Sequence, residues 1–117
     1  MHLEEKLTAL LRTICPNVFV DFAPADTAMP YVVYQQIGGQ SDVALDNRLL
    51  SKRNAWMQTE AWAGTRGEAV VMMLAIEQAL TAAKDIQASP MAAMTADFDS
   101  VTGRRAARQD FDIWADR

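Results

Sequence analysis

One cysteine and one histidine in 117 residues remove several chemistries at once. Cys15 alone cannot close an intramolecular disulfide, and the chain has neither a CxxC pair nor a Cys/His cluster to hold zinc. His2 stands beside the N-terminus, so a Ser/His/Asp system has no imidazole placed to serve it. Lys and Arg are outnumbered, 11 against 15 Asp and Glu, and the net charge of −4 offers no general attraction to phosphate backbones or anionic lipid. No apolar run approaches the roughly 18 residues that cross a bilayer, and Met1 to Arg12 carries charges where a signal peptide has an apolar core. The expectation is a soluble protein made in the cytoplasm, with no membrane partner, no sequence-specific nucleic-acid partner, no metal and no cofactor.

What the chain does have is an ordinary globular balance, half hydrophobic and 22% charged. Its length suits one domain, 1–117, with a single core. Leu3, Leu7, Leu10, Leu11 and Ile14 recur at helical spacing up to Pro16, predicting an amphipathic helix. "NVFVDF" reads as a short strand and "APADTAMP" as a loop. "PYVVYQQIGG" alternates Tyr31, Val33, Gln35 and Ile37 against Val32, Tyr34 and Gln36, then ends in two glycines where the chain turns.

"RNAWMQTEAWAG" sets Ala55, Met57, Thr59 and Ala61 on one side and Trp56, Gln58, Glu60 and Trp62 on the other. Thr65 and Glu68 then have the spacing of a capping box ahead of a long apolar helix, whose stripe runs through Ala69, Met72, Met73, Ile76, Leu80 and Ala83 and is widened by Val70, Val71 and Leu74. "QASPMAA" reads as a connector. "MTADFDSV" and "RAARQDFDIWAD" flank a turn centred on Gly103. The order α-β-β-β-α-β-β predicts an α+β fold: two helices on one face of a mainly antiparallel sheet of about five strands, with parallel pairing at one position left open.

"QTEAWA" and "DFDIWA" echo each other. One domain cannot contain two duplicated ones, so the echo reads as two strands of one sheet, showing Gln58, Glu60 and Trp62, and Asp110, Asp112 and Trp114, on one face. Glu60, Asp97, Asp99, Asp110 and Asp112 are the acids available for general acid/base or metal work, yet their alternation is that of a solvated strand face. Cys15 reads as a small buried hydrophobe. "RRAAR", Arg104 to Arg108, reads as a charged hairpin end that discourages stray strand pairing. No catalytic residue emerges.

The proline-led strand at Pro30 to Tyr34, the long polar excursion after it, "WMQTEAWAGTRGEAVVMMLAIEQAL" and the terminal "RQDFDIWA" together resemble the tail-completion (minor tail, tail-terminator-like) family of long-tailed bacteriophages and prophages. The resemblance covers most of the chain. Met57, Thr59 and Ala61 depart from it, standing where aliphatic residues are usual. It implies a non-catalytic structural virion protein, present in the bacterial host cytoplasm during assembly and then in the virion tail. Its implied partners are other copies of itself in a ring, commonly sixfold, together with tail-tube and head–tail connector proteins.

Between Gly39 and Lys52, "GQSDVALDNRLLSK" is longer than most hairpin connections and carries leucines with no evident core to enter. It is the candidate assembly interface, expected to be mobile in the free protein and to order against a neighbouring subunit, with Leu45, Leu49 and Leu50 buried there and Asp46 and Arg48 paired at the rim; an ordinary hairpin loop is the alternative. The alternatives are a non-catalytic adaptor or small-ligand module using the face around Trp62 and Trp114, or an enzyme with a carboxylate site at Glu60, Asp110 and Asp112.

Overall fold

Leucines at positions 3, 7 and 11 stack on one side of a helix, and in the computed structural model, which describes residues 2–117, they form the buried stripe of α1 (Leu3–Arg12). A short strand, β1 (Val18–Val20), leads into β2 (Tyr31–Gly38) and then β3 (Lys52–Ala63). Thr65 stops the strand direction and caps α2 (Arg66–Ala82), its hydroxyl accepting from the Glu68 amide at 3.2 Å. Three strands complete the chain: β4 (Gln87–Pro90), β5 (Thr95–Phe98) and β6 (Arg105–Asp116). The turn into β6 closes at Gly103, whose φ of +74° is one that glycine adopts without a steric cost.

The sheet runs β1-β2-β3-β6-β4, and β5 also lies along β6. β1 is parallel to β2, and every other pair is antiparallel. Residues 87–90 are therefore not a connector: they form a sixth strand, pairing with Phe111–Trp114 as β5 pairs with Arg105–Arg108 farther along the same edge. A four-residue segment ending in proline carries little alternation of its own. Its pairing is dictated by the free edge of β6, and an edge is where proline is tolerated.

Alternation on β3 and β6 divides the sheet into two faces. Ala55, Met57, Thr59, Ala61, Ala107, Gln109, Phe111, Ile113 and Ala115 are buried on the inner face. Leu3, Leu7 and Leu11 of α1 and Ala69, Met73, Ile76 and Leu80 of α2 join most of them in one core. Cys15 is buried in that core too, as its position predicts. Tyr34, also buried, reaches through to α1: its hydroxyl bonds Thr8 Oγ1 at 2.6 Å and donates to the Glu4 carbonyl at 3.1 Å. Two polar side chains sit under α2. Thr59 donates to the Gln109 carbonyl at 2.8 Å, and Gln109 Nε2 donates to Glu77 Oε2 at 2.6 Å and the Ala92 carbonyl at 2.9 Å.

The molecule is long for its size, 53 × 25 × 25 Å with a radius of gyration of 15.0 Å, where about 13 Å is usual for this length. The twelve-residue strands β3 and β6 explain this. Each spans roughly 40 Å at ~3.3 Å per residue, so they must lie along the long axis. One end of that axis carries the 39–51 loop. The other carries Trp62, the start of α2 and the Gly103 turn.

Candidate functional site

The 39–51 loop leaves the sheet through two glycines with different reasons for being there. A Cβ on Gly38 would lie 2.7 Å from Trp56 Cε3, so the bare backbone leaves room for the indole ring. Gly39 has φ +146°, and a Cβ there would lie 2.8 Å from the Asn54 carbonyl oxygen, a backbone atom that cannot move aside. Gly39→Ala should therefore cost about 2–3 kcal/mol, read as a lower urea midpoint with an unchanged slope.

Asn54, buried at the loop base, anchors the exit. Its Oδ1 accepts from the Gln40 amide at 2.9 Å, while its Nδ2 donates to Asp112 Oδ1 at 2.5 Å and the Ile113 carbonyl at 3.0 Å. From the other side, Arg117 donates through Nε to the Leu50 carbonyl at 2.6 Å and through its amide to the Ser51 carbonyl at 3.0 Å.

On this pinned base the tip closes as a small hairpin. Val43 and Leu49 form a β-bridge, and the Ala44 amide donates to the Arg48 carbonyl at 2.7 Å. Asn47 takes φ +65° at the turn, a conformation its short polar side chain tolerates. Arg48 Nε meets Asp46 Oδ2 at 2.5 Å, so the two rim charges neutralise each other within the loop. The apolar side chains stay outside: Leu45 is wholly exposed, Val43 and Leu49 are more than half exposed, and Leu50 nearer the base is 39% exposed. All five sequence candidates thus fall on one protrusion. Sequence reasoning missed Val43, the bridge partner of Leu49, and the anchoring roles of Gly39 and Asn54. For the glycine, the Gly-Gly pair was the available signal.

Of the acids on the outer sheet face, Glu60, Asp97 and Asp112 are engaged as structural partners, whereas Asp110 Oδ1 is buried without a hydrogen-bond partner among the described residues. Arg108 Nη2 bridges Glu60 at 2.9 Å and Asp97 at 2.8 Å, and the hydrogen bond that the guanidinium donates to Glu60 is the main cause raising its pKa above the ordinary value. Asp112 is held by Asn54. Among the described residues no three His, Cys, Asp or Glu side chains converge as a metal site.

The two tryptophans of the echo do share a face, on adjacent strands. Antiparallel register nevertheless sets Trp62 opposite Ala106 and Trp114 opposite Asn54, eight residues apart along the sheet, or roughly 26 Å. Trp62 instead stacks on Tyr31, ring centroids 6.3 Å apart. Two indoles that far apart cannot wall one small-ligand pocket.

Near the loop base, Arg53 clamps α1 to the sheet, meeting the Glu4 carboxylate at 2.6 Å and Gln36 Oε1 at 2.8 Å. The hydrogen bond from Arg53 is the main cause holding Glu4 below its usual 4.5. A lowered carboxyl stabilises the fold above the unfolded value and loses that contribution as pH falls through the folded value. Glu4→Gln should therefore melt earlier than the parent chain at pH 6, with the gap closing as pH falls below 4.5. A gap that widens on acidification would contradict the clamp.

The chain is thus an α+β fold with a tied, apolar protrusion at one end. The family model for tail completion protein gp17 matches residues 3–116, and the chain belongs to that family. It is accordingly a non-catalytic structural component of the virion tail. Among solved structures, a chain from the "Virion of native gene transfer agent (GTA) particle" aligns with a TM-score of 0.56 at 17% identity, over 95% of this chain and 84% of that one. At that identity the likeness speaks for the fold. No curated protein sequence matches the chain.

Proposed function

We propose that this chain completes the tail by assembling with copies of itself into a ring, expected to be sixfold, at the head–tail junction. Its other partners are then tail-tube and head–tail connector proteins. The 39–51 tip carries the reading. A loop whose base is tied by Asn54 and Arg117 holds Leu45 wholly in water, with Val43 and Leu49 beside it. Apolar surface left in solvent gains about 25 cal/mol for each Å² that a neighbour covers, and a contiguous exposed patch is the usual mark of a contact surface. The net charge of −4 suits a ring around a DNA conduit, because a polyanion passing through it is not retained.

The test is electron microscopy of particles produced without this protein. Separate tails and filled heads are expected. Complete tails joined to heads at normal yield would overturn the proposal.

A further inference from the structure

The edge of a sheet is a row of main-chain donors and acceptors with which another chain can pair, and folded proteins guard such edges. The outer strands β1, β4 and β5 are guarded, each in its own way. On β4 the Met91 amide bonds the Asp110 carbonyl, so alternation turns Ala88 and Pro90 outward, and Pro90 has no N–H to offer. On β5 the Asp99 amide bonds the Arg104 carbonyl, which turns Phe98 outward, and its N–H is taken by the Asp97 carboxylate at 2.8 Å. On β1 the Asn17 carbonyl and the Asp21 amide face β2, which turns Val20 outward, and its carbonyl accepts from the Phe22 amide at 2.9 Å.

The second half of β2 has no such guard. The Val32 amide donates to Asn17 and the Tyr34 carbonyl accepts from Asp21, so the even-numbered residues of β2 face β1. Pairing with β1 ends at Tyr34, where Asp21, at φ +72°, turns the chain away. Alternation therefore points the Gln36 amide and carbonyl at the same edge, beyond the last residue of β1. The Gln36 side chain does not screen them, because its Nε2 donates to the Gly38 carbonyl at 3.1 Å and its Oε1 accepts from Arg53 at 2.8 Å. Gln35, Gln36 and Ile37 are all exposed. Next to this edge, Glu4, Thr8, Ala9, Val20 and Tyr34 line an open groove between α1 and the strands. The bulge between Gln36 and Gly38 ends the ladder, so the open stretch is short, residues 35–37.

We infer that residues 35–37 receive an extended segment of a different tail protein, added to the sheet in line with β1. A donor and an acceptor side by side on a strand are met in full by another main chain in extended form, and a side chain of that segment covers Ile37. A second copy has no comparable strand to lend, since its β1, β4 and β5 are closed in the ways just described. Two copies meeting through residues 35–37 of each would form a closed pair, which extends no tail. The inference rests on membership of the tail-completion family and on neither the ring nor the 39–51 loop, so it stands or falls separately from them.

Hydrogen exchange, comparing purified tails with the free chain, is the first test. The Gln36 amide, open in the free subunit, should exchange at least about tenfold more slowly in tails. Equal exchange in the two states would overturn the main-chain pairing.

Ile37→p-benzoylphenylalanine identifies the occupant. Ile37 is 45% exposed, so the substituted chain should melt as the parent does. Irradiation of tails containing it should link this chain to a different tail protein, identified by mass spectrometry. A crosslink to copies of this chain alone, or none at all, would overturn the assigned occupant. Tails that show the protection and the crosslink while lacking a ring would keep this inference and discard the ring.

Discussion

Leu45→Asp combined with Leu49→Asp is expected to leave the chain folded and to abolish tail completion. Both leucines are mainly in water in the single subunit, and substitutions at such positions usually change stability by no more than about 0.5 kcal/mol. At a subunit contact the same changes bury two carboxylates without partners, at a cost of several kcal/mol each. Each 1.4 kcal/mol is about tenfold in an equilibrium constant, so the loss in association exceeds about 100-fold. The check is a paired measurement. Thermal melting of the free chain should be unchanged, while the count of joined particles falls by two orders of magnitude or more. Unchanged joining would remove the loop from the interface, and a collapsed melting temperature would make it part of the fold.

Phe111→Ala should do the reverse, destroying the fold before assembly can be asked about. Phe111 has no exposed surface, lies opposite Met57 on β3 and Pro90 on β4, and belongs to the core that receives both helices. Removing a buried phenyl ring costs about 3–5 kcal/mol, because the cavity closes only in part. That is a large share of the 5–15 kcal/mol that holds a typical domain together. A melting temperature lowered by about 12 °C or more is expected. A shift of a few degrees would mean that β6 is not the strand on which the sheet depends.

The contrast between these positions also explains what could be read from the sequence. Buried residues announce themselves by period. Leu3, Leu7 and Leu11, and the alternation Ala55, Met57, Thr59, Ala61, appear in the chain as the surfaces they become, because one face of each element must leave water. Thr65 and Gly103 were legible for a local reason, a cap hydroxyl and a left-handed turn. β4 was not, since Gln87–Pro90 owes its strand form to hydrogen bonds offered by β6 across more than twenty residues of sequence. The separation of Trp62 from Trp114 was hidden in the same way. Alternation fixes which face each residue shares, while antiparallel register, a property of the pair, fixes the distance along it.

The loop was half legible. Leucines without a periodic home marked it as unusual, and the structure adds how they are kept exposed: Gly39 directs the chain away from the sheet, Asn54 and Arg117 tie the base, and Asn47 turns the tip. None of those roles follows from residue type alone. Each depends on a carbonyl or amide that the fold brings within reach.

The most direct test of the central claim is a cryo-electron-microscopy reconstruction of the tail end of intact particles, resolved well enough to trace this chain. A ring of copies at the head–tail junction is the expected result, with Leu45 of every copy buried against its neighbour. Copies absent from the junction, or present there with Leu45 still in solvent, would contradict the account.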